Sequence, residues 1–238
     1  MPSRSAKPAS SAADCRSVYS VMTEAVGFDL DMTLIDSRSG IAAAFRALTA
    51  ETGVRVDADL AVSRLGPPLR TELREWFPAE DVERAVNRYR ALYPEHAIEP
   101  TVPMPGAVEA LAAVRAHGLR VVVVTSKLGR LAELHLRHLG MIADEVAGDL
   151  FAEGKSAALV AHGVRCYVGD HVGDMVAART AGIPGVGVTT GPCKAGELRE
   201  AGAWRVLPDL TSFPDLLGEI SVGSAPGRSI AWKSSSNE

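Results

Sequence analysis

From Ala25 to Leu207 the chain alternates short apolar runs with longer segments in which apolar residues recur every three or four positions. The runs AVGFDL from Ala25, LRVVVVT from Leu119, CYVGD from Cys166, GVGVT from Gly185 and WRVL from Trp204 are nearly continuous in apolar character. That pattern predicts strands buried on both faces, as in a parallel sheet. The intervening segments predict helices. Ala107 to His117 is followed by Gly118, and Asp174 to Ala181 by Gly182, glycines standing where a helix end turns left-handed. Strand and helix in regular alternation imply an α/β fold, a Rossmann-like parallel sheet with helices on both faces.

Residues 38 to 103 break the alternation and contain no strand-like run. Ile41, Ala44, Phe45 and Leu48 fall at helical spacing, as do Leu69, Leu73, Trp76 and Phe77, and again Val82, Val86, Tyr89 and Tyr93. Each set gives a helix one face to bury. The polar DSRSG at Asp36 and the VPMPG that ends at Gly106 punctuate the two boundaries. The expected organisation is a core domain of residues 24–37 and 104–220 that carries an inserted helical domain, residues 38–103. Residues 1–23, rich in Ser, Ala and Pro, and residues 221–238 read as disordered tails. The N-terminal stretch has no apolar segment fit for a signal peptide or a membrane span. Met22, just before the first strand, is a candidate for the natural start.

At 238 residues and 47% hydrophobic side chains, the chain can bury one α/β core and a smaller second one. A net charge of -4 and a pI near 5.9, without a basic cluster, argue against a nucleic-acid polymer as partner. Any phosphate it binds is expected to be small. Cys15, Cys166 and Cys193 are odd in number and lack metal-ligand spacing, which excludes a disulfide framework and favours a reducing cytoplasm.

Four segments carry candidate chemistry. The first strand ends in Asp29-Leu30-Asp31-Met32-Thr33, and strand periodicity puts Asp29 and Asp31 on one side, at the sheet edge where doubly wound folds bind ligands. Like charges so close call for a cation or a catalytic duty, although a solvated acidic turn with Thr33 capping a helix accounts for the segment equally well on its own. The second strand ends in Thr125-Ser126-Lys127, a hydroxyl and a cation at the same edge; a plain helix cap is the competing reading. Lys155 opens a helical segment, where a surface charge is the ordinary interpretation. Yet Lys127 and Lys155 are the only lysines between Lys7 and Lys194. The fourth segment, Gly169-Asp170-His171-Val172-Gly173-Asp174, again ends an apolar strand in paired acids.

In order and spacing these segments resemble the motifs of the haloacid dehalogenase-like (HAD) hydrolase superfamily, over roughly Ala25 to Leu217. The resemblance implies that Asp29 is a nucleophile forming an aspartyl-phosphate and that Asp31 is general acid and then general base. It implies that Thr125 binds a phosphoryl oxygen and that Lys155 offsets charge on nucleophile and transition state. Mg2+ is the implied cofactor, its site formed by Asp29 and Asp170 with the main-chain carbonyl of Asp31, and Asp174 orienting ligands or water. Met32 stands where many relatives have glycine, which makes the loop less permissive.

The insertion resembles a C1-type helical cap, a lid that selects the leaving group. Gly66-Pro67-Pro68-Leu69-Arg70 resembles a loop that some relatives point into the site. Arg70, and Ser126 beside Thr125, are candidate substrate-binding residues, with a surface arginine the alternative for Arg70. His171 reads as a solvated loop residue near the site; Trp76, Tyr89 and Tyr93 read as cap core. Residues 38 to 104 have no lysine for the Schiff base of phosphonate-cleaving relatives, and dehalogenases lack the acid at Asp31. The nearest group is the phosphoglycolate phosphatase-like one. The implied protein is a monomeric or homodimeric phosphatase acting on a small organic phosphate monoester. The alternatives are a phosphosugar mutase or a non-catalytic binding or regulatory relative.

Overall fold

The computed structural model describes residues 24–222. Cys15, Met22 and the expected tails, apart from residues 221 and 222, lie outside the described residues. The chain runs through β1 (Ala25–Phe28) and β2 (Ile35–Asp36) into four successive helices: α1 (Arg38–Thr52), α2 (Ala58–Ser63), α3 (Leu69–Leu73) and α4 (Val82–Ala97). After β3 (Val102–Pro103) it alternates: α5 (Ala107–Ala116), β4 (Arg120–Val124), α6 (Gly129–His138), β5 (Glu145–Ala147), α7 (Glu153–Ala161) and β6 (Val164–Gly169). It closes with α8 (Val172–Thr180), β7 (Gly185–Val188), α9 (Ala195–Glu200), β8 (Ala203–Leu207) and α10 (Phe213–Val222). Residues 221 and 222, expected in the tail, belong to this last helix.

Six strands pair in parallel in the order β5-β4-β1-β6-β7-β8. The direction of winding reverses between β1 and β6, the place where such sheets leave a crevice for ligands. Successive side chains go to opposite faces. Val121 and Val123 join Val26, Phe28 and Val168 under α5 and α10, while Val122 and Val124 join Tyr167 and Leu159 under α7 and α8. All four valines of β4 are fully buried, each stabilising by roughly 1.5–3 kcal/mol. This two-faced burial is why the strands read as unbroken apolar runs.

The helices α1 to α4 form their own apolar cluster, with Ile41, Ala44, Phe45 and Leu48 against Val82, Val86, Tyr89 and Tyr93. Gly40 lets α1 and α4 meet closely, since a Cβ there would lie 2.2 Å from the Ala97 carbonyl oxygen. The expected third helical face ends early: α3 stops at Leu73, and hydrogen-bonded turns bury Phe77. The neck is the antiparallel pair β2–β3, Ile35 opposite Pro103 and Asp36 opposite Val102. No helix among the described residues is long and apolar enough to cross a membrane.

Candidate active site

The loop after β1 folds back on itself. The N–H groups of Thr33, Leu34 and Ile35 all donate to the Leu30 carbonyl, and the Met32 N–H donates to that of Ile35. This holds Met32 at φ 62, a left-handed conformation that costs a non-glycine residue about 1–2 kcal/mol. Met32 is only 2% exposed, within the core cluster, and burial of its side chain, worth roughly 1.5–3 kcal/mol, offsets the strain that a glycine would avoid. The reversal turns Asp29 and Asp31 into one cavity between the sheet and the helical insertion.

Asp29, Asp170 and Asp174 converge from β1, β6 and the first turn of α8. Each offers a carboxylate oxygen within 4.8 Å of the others, and all three residues are buried. Lys155, buried at the start of α7, reaches Asp29 Oδ1 at 2.9 Å and Asp174 Oδ1 at 2.7 Å. Asp174 also accepts from the Tyr167 hydroxyl at 3.3 Å and the His171 N–H at 3.2 Å, and Thr33 donates to Asp170 at 3.0 Å. Burial pushes Asp29 up to about 6 against the pull of Lys155, with Asp174 adding repulsion. Burial, then Asp29 and Asp174, pushes Asp170 well above the carboxylate range. Burial opposes the charge on Lys155, yet Asp174 and Asp29 hold its pKa well above the usual lysine value. One ammonium does not balance three ionised carboxylates, and the raised values of Asp29 and Asp170 express that excess. An all-oxygen donor set of that charge fits a hard divalent ion such as magnesium.

Asp31 stands apart from this trio. It accepts from Ser37 Oγ and pairs with Lys127 Nζ at 3.0 Å. Lys127 also donates to the Tyr93 hydroxyl of α4 at 2.6 Å, and that hydroxyl lies 3.1 Å from His135 Nε2. Burial, reinforced by Lys127, lowers His135 to about 3. Thr125 is buried, its Oγ1 accepting the Lys127 N–H at 3.2 Å. Ser126 Oγ donates to the Gly66 carbonyl at 3.2 Å, tying the end of β4 to the loop between α2 and α3.

Two expectations need correction. Arg70 does not reach the cavity; it pairs with Glu83 at 2.6 Å on the outer surface, and Arg64 and Arg90 line the cavity instead. His171 is no solvated loop residue. It caps α8, its Nδ1 accepting the Gly173 N–H at 3.0 Å, and its ring fills the space where a Gly66 Cβ would fall, 2.7 Å from His171 Cδ2. Tyr89 and Tyr93 are cap core, as expected, and also wall the cavity.

Sequence reasoning set Lys127 at the sheet edge and Thr33 in the first motif without giving either a role in the site, and it passed over Tyr167 and two glycines. A Cβ on Gly191 would stand 1.7 Å from Asp170 Oδ2, and one on Gly169 2.4 Å from Asp174 Oδ2. Those backbones are the walls that hold the acids in place. The scarcity of lysines was the available signal for Lys127; a Gly-Pro pair after β7 was a faint one for Gly191.

Residues 26–182 match the family model of haloacid dehalogenase-like hydrolases. Phosphoglycolate phosphatase of Rhodospirillum rubrum is 31% identical over 222 residues, covering 83% of this chain and 92% of that protein. Tyrosine-protein kinase PtkA of Mycobacterium tuberculosis is 38% identical over 115 residues, 48% of this chain; the chain spans 40% of the kinase's length. Among solved structures, a predicted phosphatase from Clostridium acetobutylicum superposes with a TM-score of 0.72 at 25% identity, over 83% of this chain and 99% of that one.

Proposed function

The chain belongs to the haloacid dehalogenase-like hydrolases, and from that premise we propose that it is a magnesium-dependent phosphatase of small organic phosphate monoesters. One observation carries the reading: the carboxylates of Asp29, Asp170 and Asp174 gather within 4.8 Å of one another, with the Lys155 ammonium against Asp29, at the crevice where the sheet reverses. The phosphatase relatives, matched over most of their length, support the same class. Residues 38–103 are then the cap and 24–37 with 104–220 the catalytic domain, in a monomer or homodimer of the cytoplasm, where Cys166 and Cys193 stay unpaired.

In this reading Asp29 Oδ attacks phosphorus and the bond from phosphorus to the leaving oxygen breaks, giving an aspartyl-phosphate. Asp31 delivers a proton to the departing alcohol, then takes one from the water that releases inorganic phosphate and restores Asp29. Thr125 has its oxygen engaged by the Lys127 N–H, so its hydroxyl proton is directed to a phosphoryl oxygen. Ser126 lies beside it, near the leaving group. Lys155 offsets the charge that builds on Asp29 and the phosphoryl group. Asp29 and Asp170, with the main-chain carbonyl of Asp31, would hold magnesium, and Asp174, which accepts from Lys155, would orient its ligands. When bound, the metal supplies electrostatic stabilisation of the phosphoryl oxygens.

The test is release of inorganic phosphate from p-nitrophenyl phosphate. Turnover should require magnesium and fall by several orders of magnitude in Asp29→Asn. Undiminished turnover in that variant overturns the nucleophile assignment. A strict need for a sugar bisphosphate activator would identify a mutase in place of a phosphatase.

A further inference from the structure

We propose that the natural substrate carries its phosphate on an apolar, ring-bearing group, and not on a carboxylate or a polyol. This rests on the phosphatase reading above and specifies what the site accepts. The leaving group must lie next to Asp29 and Asp31, and both face the cavity under the cap. Beside Ser126 and Lys127, the apolar part of its lining is Ile41, Phe45, Leu65, Leu69 and Leu131. The space measures about 100 Å³, of the order of the roughly 150 Å³ Leu/Ile/Phe-lined cavity that takes up benzene.

Each charged side chain of the cavity wall already has a partner. Arg64 pairs with Glu72 at 2.6 Å, Arg90 with Asp149 at 2.7 Å, and Lys127 with Asp31 at 3.0 Å. Glu72 also accepts the Trp76 indole N–H at 2.9 Å. A substrate carboxylate would have to share one of these cations with its present partner, and a polyol would bury hydroxyls opposite leucine and phenylalanine, where an unpartnered polar group is disfavoured. An apolar ring meets neither obstacle. It also extends an existing aromatic series, since the Phe45 and Tyr89 rings lie 4.7 Å apart and those of Tyr89 and Tyr93 5.5 Å apart, distances at which rings attract.

The test compares esters whose leaving groups are all alkoxides, so that intrinsic reactivity does not decide the ranking: benzyl phosphate, glycerol 3-phosphate and phosphoglycolate, with magnesium. We expect kcat/KM for benzyl phosphate at least tenfold above both others. Preference for phosphoglycolate or glycerol 3-phosphate overturns the inference and leaves the phosphatase reading standing. Failure to cleave any of the three, or p-nitrophenyl phosphate, removes both. Leu69→Gln, at a half-buried wall position, should shrink the ratio of benzyl to glycerol phosphate at least threefold. An unchanged ratio in folded protein would remove Leu69 and its wall from the specificity site.

Discussion

At the rim of the sheet, three buried carboxylates gather beside one ammonium, which pairs with two of them; in the wall of the cap cavity, both arginines have their own carboxylate partners. The rim is held by strand ends and by glycines that leave no slack around Asp170 and Asp174. The wall is carried on helices joined to the sheet through a two-residue strand pair and the Ser126 contact to Gly66. In the proposed reading the difference separates two duties. A site that must stabilise a highly charged transition state keeps unbalanced charge in a low-dielectric place, and a surface that selects a leaving group balances its charges and presents apolar area.

Removing the lone rim cation tests that contrast most severely. Lys155→Met strands Asp29 and Asp174, and breaking a buried pair from one side costs about 3–5 kcal/mol; urea denaturation in EDTA should register that loss, and magnesium should restore part of it. A change under 1 kcal/mol would mean that the rim is not under charge stress. Acidity gives the next effect. The Asp29 pKa is raised from 3.8 to about 6, so the folded metal-free protein binds a proton more tightly than the unfolded chain. Its contribution is fully present below about pH 4 and disappears as pH rises through about 6, on the order of 3 kcal/mol. Denaturation curves from pH 4 to 8 in EDTA, set against Asp29→Asn, isolate this slope; an identical slope in the variant would refute it.

Gly191→Ala tests the tightness of the rim without touching a charge. The new methyl must displace the Asp170 carboxylate, and misplacing a ligand of this kind weakens metal affinity about 10–100-fold, readable as a rise in the magnesium needed for half-maximal turnover. The smallest effect belongs to the wall. Arg90→Met breaks a partly exposed pair with Asp149 and should change stability by less than about 1 kcal/mol. A loss as large as that of Lys155→Met would erase the distinction between the two regions.

How legible each part was in the sequence follows from where its determinants lie. The strands β1, β4, β6 and β7 appear as apolar runs because helices cover the sheet on both sides; β8, half-buried at one edge, reads as a run from its Trp, Val and Leu alone. Strand β5 does not: it has three half-buried residues, one of them a glutamate, at the edge of the sheet. The acids at the strand ends stand out because an apolar strand rarely closes on paired carboxylates. The pairings of Lys127 do not, since Asp31 and Tyr93 come from other elements and only folding brings them together. Arg70 misleads because adjacent residues on a helix diverge by about 100°: Leu69 faces the cavity, and Arg70 therefore turns outward to Glu83.

By itself, then, the chain's order of residues determined the architecture, the helical insertion and the acids at the strand ends, because periodicity and strand-end placement are local properties. Tertiary structure alone decided which groups are paired, which glycines brace the acids, and what kind of surface meets the leaving group. Those depend on side chains from α1, α3, α4 and α6 meeting across space, and no spacing along one segment encodes such a meeting.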